Sequence, residues 1–198
     1  MTTRRTGWGY DIHRLEADHP LVLGGVPFPD SPAGFNTHSD GDVVAHAIID
    51  ALAGALAAGS LGDHFPEDAP EDQDARSIDF LTRFLPVLRA HHATVVNLDC
   101  TIFASEARIA PVAARMRANI AERLGIPMEA VNVKGKTNDG FGPEGQGQAI
   151  SAVVIAVTAS PNEGNPRRGN GLLSALILGG SAVALAAVAL MPSHRGVR

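Results

Sequence analysis

The sequence predicts an α+β sandwich, a two-layer fold in which helices cover one face of a mixed β-sheet. Three observations predict this class. Strand-like segments open and close residues 1–160, three segments with helical spacing lie between them, and no internal repeat is present. The chain has 198 residues, 45% apolar and 19% charged, which suits one globular domain with an appendage.

The first half of the domain supplies two strands and two helices. Residues 7–13 are a strand candidate and residues 21–26 are a second one with a Gly-Gly turn, so the two favour a hairpin. Residues 42–59 are rich in Ala and Leu and end at a glycine, which predicts a helix. Apolar residues at helical spacing predict another helix over 77–88, although Pro86 disfavours its last turns. Polar loops lie at residues 29–41 and 60–74.

The second half supplies three strands and one helix. Residues 94–103 are β-branched and alternate in polarity, which predicts a strand. Residues 109–124 predict a third helix, capped by Gly125. Residues 132–134 and 148–158 are the last two strands, and the complete order β, β, α, α, β, α, β, β is that of the sandwich.

Charge is distributed unevenly along the chain. Residues 1–160 carry 12 Lys and Arg against 20 Asp and Glu, whereas the remainder carries four Arg and Glu163. The acidic body has only two lysines, Lys134 and Lys136, which argues against a nucleic-acid surface because such a surface needs clustered cations. A phosphorylated ligand would therefore be held locally, by metal ions or backbone amides.

Cysteine content and the N-terminus both indicate a cytoplasmic protein. Cys100 is the single cysteine and cannot form an internal disulfide, which fits a reducing compartment. The first nine residues have no apolar stretch behind their arginines, so no secretory signal is visible.

A candidate metal site lies in the first half of the domain. Asp11 and His13 are two residues apart on a predicted strand and share one face, and His46 lies one turn into the first helix. One Asp and two His are a standard ligand set for catalytic zinc, with a fourth position open. Asp50 follows His46 by one turn and could accept its second ring N–H. The alternatives are a solvent-facing strand pair, a core histidine bonded to Asp42 or Asp50, and a solvated helix charge at Asp50.

A second candidate site is the polar, Gly-rich loop at residues 134–142. It contains both lysines and can offer backbone N–H groups and a hydroxyl to phosphate, with Asp139 suited to a hard divalent cation. The loop lacks the spacing of a P-loop. A solvated hairpin loop is the alternative.

Together these motifs resemble the 2-C-methyl-D-erythritol 2,4-cyclodiphosphate synthase family of the non-mevalonate isoprenoid pathway. The resemblance covers residues 7–158, and its most specific part is the H-S-D-G-D-x-x-x-H segment that begins at His38. The other matching segments are Gly7–His13, Asp50, Phe65-Pro66 and Lys134–Asp139.

The resemblance implies a homotrimer with its sheets around the threefold axis and an active site at each subunit boundary. The implied enzyme is a phosphorus–oxygen lyase. It converts 4-diphosphocytidyl-2-C-methyl-D-erythritol 2-phosphate to the cyclic diphosphate and CMP by intramolecular phosphoryl transfer. The implied cofactors are Zn²⁺, or another divalent transition metal, and Mg²⁺ or Mn²⁺.

Residue roles follow from the same resemblance. Asp11, His13 and His46 are implied as zinc ligands, while His38 and Thr137 are implied to stabilise the transition state. Asp139 stands in place of a glutamate that binds the second divalent ion. The positions implied to contact substrate are Ser39, Ser60, Leu61, Gly62, Phe65, Glu67, Ala104, Ser105, Glu106, Arg108, Ala110, Lys136, Asn138 and Gln146.

The sequence departs from the family pattern in its substrate contacts. Ser60 and Glu67 replace aspartates, and Gln146 replaces a phosphate-binding arginine. Loss of one charge-assisted phosphate contact costs about 1.5–3 kcal/mol. Asp63 and Asp68 are candidates to compensate. Two readings other than an altered synthase stay open: a paralogue that binds a nucleotide or isoprenoid phosphate, and a zinc phosphoesterase that uses the open metal position for water.

Three segments follow the predicted domain of residues 1–160. Residues 161–171 have three glycines, two prolines and no aliphatic residue, which is typical of a linker. Residues 172–191 are apolar and uncharged, close to the roughly 20 residues that span a bilayer. They favour a membrane helix that tethers the domain, with a tail packed on the trimer or a loose apolar helix as alternatives. Residues 192–198 are a basic tail, and arginines on both flanks leave the orientation undecided.

Overall fold

A computed structural model of the chain describes residues 2–161. In chain order, the strands are β1 (Thr2–Arg14), β2 (Glu16–Ala17), β3 (Val22–Leu23), β4 (Val26–Pro27), β5 (Ala33–Gly34), β6 (Thr94–Phe103), β7 (Val131–Lys136) and β8 (Ala149–Pro161). The α-helices are α1 (Val43–Leu56), α2 (Leu61–His64), α3 (Ser77–Ala90), α4 (Ala113–Leu124) and α5 (Gly142–Gly145). Single 3₁₀ turns lie at Pro70–Asp72, Met128–Ala130 and Asn138–Gly140.

The main sheet has the strand order β1-β8-β6-β7 and is mixed, as predicted. β8 pairs antiparallel with both β1 and β6, and β6 pairs parallel with β7. Helix α1 packs on β1 and β8, α4 packs on β7, and α3 packs against both helices. The core therefore lies between the sheet and a layer of three helices, which confirms the α+β class.

Helix α1 lies unusually close to β1 because two glycines of β1 face it. A Cβ added to Gly9 would lie 2.0 Å from the carbonyl oxygen of Ala47, and one added to Gly7 would lie 1.8 Å from that of Ala51. No other residue type fits such a contact. The alternate residues of β1 face away from the helices, so the strand separates a helix-contacting face from an exposed one.

The buried Asp42 joins α1 to the short hairpin of β3 and β4. As the N-cap of α1, it accepts hydrogen bonds at Oδ1 from the backbone N–H groups of Val44 (3.1 Å) and Gly24 (2.8 Å). Its Oδ2 accepts a third from Gly25 at 2.7 Å. Burial and the nearby Asp40 carboxylate raise the pKa of Asp42 to about 6, against the opposing effect of these hydrogen bonds. The start of α1, one turn before His46, is thereby held in place.

The predicted hairpin between residues 7–13 and 21–26 is wrong. β1 pairs along its whole length with β8, and residues 22–27 form a small hairpin of their own. Gly24 and Gly25 have φ values of +57° and +68°, the backbone of a tight two-residue turn. That turn closes β3 on β4 and leaves β1 free to pair with the far end of the domain.

Element boundaries differ by a few residues from the predictions. Helix α1 ends with Ala57 in the left-handed conformation, before Gly59. Helix α3 continues through Pro86 to Ala90. Helix α4 begins at Ala113, four residues later than predicted, and Gly125 caps it in the left-handed conformation as expected.

The predicted linker, apolar helix and basic tail lie outside the described residues, apart from Pro161 at the end of β8. Within residues 2–161, the structure has no helix of the length and apolarity needed to cross a membrane.

Candidate active site

The three predicted metal ligands converge in the structure. Asp11 and His13 lie near the end of β1, and His46 projects from α1 toward them. Asp11 Oδ2 is 2.9 Å from His46 Nδ1 and 3.5 Å from His13 Nε2. Each residue offers one atom that could ligate a metal, and these three atoms lie within 4.8 Å of one another, so a single ion could contact all three.

Hydrogen bonds select which nitrogen of each ring faces the cluster. His13 Nδ1 lies 3.0 Å from the carbonyl oxygen of Gly41, which can only accept, so Nδ1 carries the hydrogen and Nε2 offers its lone pair. His46 presents Nδ1 to the cluster, while its Nε2 lies 3.0 Å from the hydroxyl of Ser77. This arrangement is typical of histidine ligands, whose second nitrogen binds a fixed partner.

The predicted contact between Asp50 and His46 is absent. Asp50 Oδ1 accepts a hydrogen bond from the backbone N–H of Leu61 at 2.6 Å. Ser77, from helix α3, occupies the place at His46 Nε2 that was predicted for Asp50. Spacing along α1 could not reveal a partner contributed by another helix.

The Asp11 carboxyl remains ionised near the two rings. Burial raises its pKa, but the hydrogen bond with His46 and the nearby charges of His13 and His46 outweigh burial, so the net shift is downward. Two imidazole nitrogens and one carboxylate oxygen suit zinc or a similar divalent transition metal. The donor chemistry of the residues present therefore fits such an ion.

A cleft of about 260 Å³ opens above the cluster of Asp11, His13 and His46. Phe65 and Phe80 stack at 4.6 Å between ring centroids, and Phe80 lies parallel to the His46 ring at 6.2 Å. Arg83 covers both phenylalanines and forms an ion pair with the buried Asp72. The predicted residues that line the cleft are Asp11, His13, His38, Ser39, His46, Leu61, Gly62, Phe65 and Glu67.

His38 is held at the cleft by the segment that follows α2. Its Nε2 lies 3.0 Å from the carbonyl oxygen of Ala69, so this nitrogen carries a hydrogen. Its own backbone carbonyl accepts from Asp74 N–H at 2.8 Å. His38 is therefore fixed at two points in the cleft that Asp11, His13 and His46 also line.

Ser60 does not line the cleft. Its hydroxyl and its backbone N–H both donate to Asp63 Oδ2 at 2.8 Å, which forms a capping box at the start of α2. Asp63 is exposed, and the hydrogen bonds from Ser60 lower the pKa of Asp63. The carboxylate that was a candidate to compensate for Ser60 is thus its direct partner.

The other predicted residues form a second group, around β7 and the start of α5. The Ala104 N–H donates to the carbonyl oxygen of Lys136 at 2.8 Å, and the Ser105 hydroxyl donates to that of Glu144 at 2.8 Å. This group does not line the cleft. Its predicted members are Thr137, Asp139, Ala104, Ser105, Glu106, Arg108, Ala110, Lys136, Asn138 and Gln146.

Backbone strain marks the Gly-rich loop of this second group. Asn138 and Asp139 have φ values of +56° and +50°, a conformation that costs energy outside glycine. The Thr137 hydroxyl accepts from the Asp139 N–H at 3.4 Å and supports the turn. Exposed Thr137 and Asp139 side chains are available to a ligand or a partner chain.

Sequence reasoning missed Ser77, Phe80, Asp72 and Arg83. Ser77 was predicted only as the start of a helix, and Phe80 only as part of its apolar face. No local signal distinguishes these roles, because each depends on how α3 packs against α1.

Comparisons with known proteins agree with this geometry. The YgbB family model matches residues 4–159. The 2-C-methyl-D-erythritol 2,4-cyclodiphosphate synthase of Chromobacterium violaceum is 45% identical over 155 residues, which cover 78% of this chain and 98% of that protein. A bifunctional enzyme IspD/IspF of Desulforudis audaxviator is 44% identical over 150 residues; these cover 76% of this chain but 38% of that longer protein. The IspF–CDP complex of Plasmodium falciparum has a TM-score of 0.70 at 30% identity, covering 80% of this chain and 97% of that one.

Proposed function

This chain belongs to the YgbB family, and from that membership we propose that it catalyses the 2-C-methyl-D-erythritol 2,4-cyclodiphosphate synthase reaction. The substrate is 4-diphosphocytidyl-2-C-methyl-D-erythritol 2-phosphate. An oxygen of its 2-phosphate forms a bond to the β-phosphorus, and the bond from that phosphorus to the oxygen bridging the α-phosphate breaks. CMP leaves with that oxygen, and the cyclic diphosphate is the second product.

The observation that carries the proposal is the Asp11, His13 and His46 cluster at the floor of a cleft that His38 and Ser39 also line. The nucleophile belongs to the substrate, so no side chain has to form a covalent intermediate. Catalysis then depends on folding a polyanion onto itself and stabilising its charge. A CDP complex of a relative with the same fold supports a nucleoside diphosphate as the ligand.

Asp11, His13 and His46 would hold Zn²⁺ or another divalent transition metal, which would polarise a phosphoryl oxygen when bound. Asp139 would contribute to a second site for Mg²⁺ or Mn²⁺, ions that prefer carboxylate and phosphate oxygens. The strained turn at Asn138 and Asp139 supports this role, because strain of this kind is concentrated at ligand sites.

The remaining groups of the cleft bind and orient the substrate. The Nε2–H of His38 is held by the Ala69 carbonyl, which leaves Nδ1 as the ring nitrogen available to the substrate. Leu61 and Gly62 are part of the cleft wall, and Phe65 supplies an apolar surface that excludes water from the metal cluster.

We further propose that the enzyme is a homotrimer whose sites form between protomers. The second group of predicted residues does not line the cleft of its own protomer, which supports its use by a neighbour. The sheet face opposite the helices is rich in exposed apolar side chains, with Trp8 63% and Tyr10 40% exposed. Packing three such faces together would bury these side chains and bring Thr137 and Asp139 of one protomer toward His38 of the next.

The test is the reaction itself, followed by phosphorus NMR with the full chain, zinc and magnesium. We expect CMP and a cyclic diphosphate to appear without incorporation of solvent oxygen. His46→Ala should lose activity by several orders of magnitude, because it removes a metal ligand, whereas His91→Ala, on the exposed end of α3, should keep it. Unchanged substrate with metal-loaded protein would overturn the synthase assignment. Phosphate release with solvent oxygen would indicate a phosphoesterase instead.

A further inference from the structure

Ser77 connects the cluster of Asp11, His13 and His46 to residues 37–39, the loop that lines the cleft. It is the first residue of α3, and its side chain is completely buried. Its hydroxyl lies 3.0 Å from His46 Nε2 and 3.0 Å from the hydroxyl of Ser39. Within residues 2–161, no other side chain hydrogen-bonds both to His46 and to the side chain of Ser39.

The backbone around Ser77 is fixed independently of its hydroxyl. Its N–H donates to Asp40 Oδ1 at 3.0 Å, and the Asp40 N–H donates to the carbonyl oxygen of Ala75 at 3.0 Å. The N-cap position of α3 belongs to Arg76, whose own side chain makes no capping hydrogen bond. The Ser77 hydroxyl is thus not needed to start α3, and its position points to another role.

The hydrogen positions along the series His46, Ser77 and Ser39 follow from donor and acceptor chemistry. A ring nitrogen that binds a metal carries no hydrogen, so metal at His46 Nδ1 leaves the hydrogen on Nε2. The Ser77 oxygen then accepts from His46 Nε2–H, and the Ser77 hydrogen is left for the Ser39 oxygen. Ser39 Oγ also accepts from the Gly41 N–H at 3.3 Å. With both of these hydrogen bonds accepted, the hydrogen of Ser39 is free to point into the cleft.

We propose that Ser77 is a positioning residue that holds the His46 ring in its metal-binding orientation by accepting from Nε2–H when metal is bound and, through the same hydroxyl, orients Ser39 as a hydrogen-bond donor to a phosphoryl oxygen. The inference rests on the metal site of the proposed function. Its consequence is that the metal ligand and the phosphate contact form one hydrogen-bonded unit. Such coupled groups show non-additive effects on substitution.

The first experiment measures metal affinity of the full chain after removal of bound metal with a chelator. Ser77→Ala should weaken Zn²⁺ and Co²⁺ binding by about 10- to 100-fold, the usual effect of losing the partner of a histidine ligand. The Co²⁺ absorption spectrum should change with the altered ligand geometry. Ser77→Thr, which retains a hydroxyl, should recover part of the affinity. Ser151→Ala is the matched control, since Ser151 is equally buried but bonds to Glu144.

The second experiment measures CDP affinity at saturating zinc in a double-mutant cycle. Ser77→Ala should weaken CDP binding in the wild-type background, and this effect should vanish when Ser39 is already alanine. Equal losses in both backgrounds would show that Ser77 does not act through Ser39. That result would overturn the second half of the inference.

A third measurement does not depend on variants. In zinc-loaded wild type, ¹⁵N-histidine NMR should show His46 protonated at Nε2, with a slowly exchanging hydrogen. Protonation at Nδ1, or unchanged metal affinity in Ser77→Ala, would overturn the role of Ser77. Neither result would contradict the proposed synthase function. Failure of the wild type to bind any divalent metal would overturn both this inference and the metal site of the proposed function.

Discussion

At the scale of single residues, the site depends on the partner of each ring nitrogen. His13 is oriented by the Gly41 carbonyl, His38 by the Ala69 carbonyl and His46 by the Ser77 hydroxyl. None of these partners is a neighbour in sequence. The fold therefore leaves Nε2 of His13 facing the cleft, but Nδ1 of both His38 and His46.

Cys100 provides a residue-scale prediction about stability. Its side chain is buried in β6, and burial, with the nearby Asp99 charge, raises its pKa to about 12. The reactive thiolate is then about one part in 10⁴ at pH 8. We expect labelling by a thiol reagent to be negligible in the native protein and to follow global unfolding in denaturant.

The control for that prediction is the unfolded chain, which should label at the rate of an unhindered cysteine. Rapid labelling under native conditions would mean that β6 opens locally and that Cys100 is not part of a stable core.

At the scale of elements, the contact between α1 and β1 brings the metal ligands together. Gly7 and Gly9 let the helix approach the strand, and the same alternation places Asp11 and His13 on the face that meets α1. The G-x-G-x-D-x-H pattern thus combines a packing requirement with two ligands.

Gly9→Ala tests this contact. The new Cβ would lie 2.0 Å from the Ala47 carbonyl oxygen, so α1 must move away from β1. We expect a loss of about 3 kcal/mol or more in the free energy of unfolding. Zinc binding should weaken as well, because His46 moves with α1 away from Asp11.

Gly54→Ala, in α1, is the matched control for Gly9→Ala in β1. A Cβ at Gly54 meets only the Trp8 carbonyl oxygen, at 3.9 Å. This substitution should stabilise the protein by about 0.5–1 kcal/mol through helix propensity. Similar stability of the two variants, measured by urea denaturation, would contradict the packing argument.

At the scale of the whole molecule, the sheet face opposite the helices exposes large apolar side chains that no part of residues 2–161 covers. Trp8 and Tyr10 stack with ring centroids 6.1 Å apart, and Trp8 pairs across the sheet with the exposed Ile155. An apolar patch of this kind is typical of an interaction surface. The proposed trimer would cover it and complete the active site.

Trp8→Glu tests the trimer by placing a charge in that face. We expect dissociation to monomers by light scattering, together with loss of synthase activity, since the second group of residues would no longer meet the cleft. Arg89→Glu, on the exposed side of α3, should leave both the trimer and the activity unchanged. A monomeric wild type with full activity would refute the shared site.

Much of the fold could be predicted from local patterns. The 94–103 strand has the predicted bounds, and the helices over 42–59 and 77–88 are present with small shifts at their ends. The pairing of β1 could not be predicted, because hydrophobic alternation indicates a strand but not its neighbour. The two positive-φ glycines at 24 and 25 close a hairpin within six residues, which local sequence did not distinguish from a turn between longer strands.

By itself, the sequence determined the α+β class, the ligand types Asp11, His13 and His46, and the family that they resemble, because each depends on residue identity and spacing. Only the tertiary structure decided that Ser77 rather than Asp50 meets His46, that Ser60 bonds to Asp63, and that the predicted substrate contacts divide into two groups. The physical reason is that hydrogen bonds and clefts form between elements distant in sequence, so their partners are set by packing rather than by periodicity.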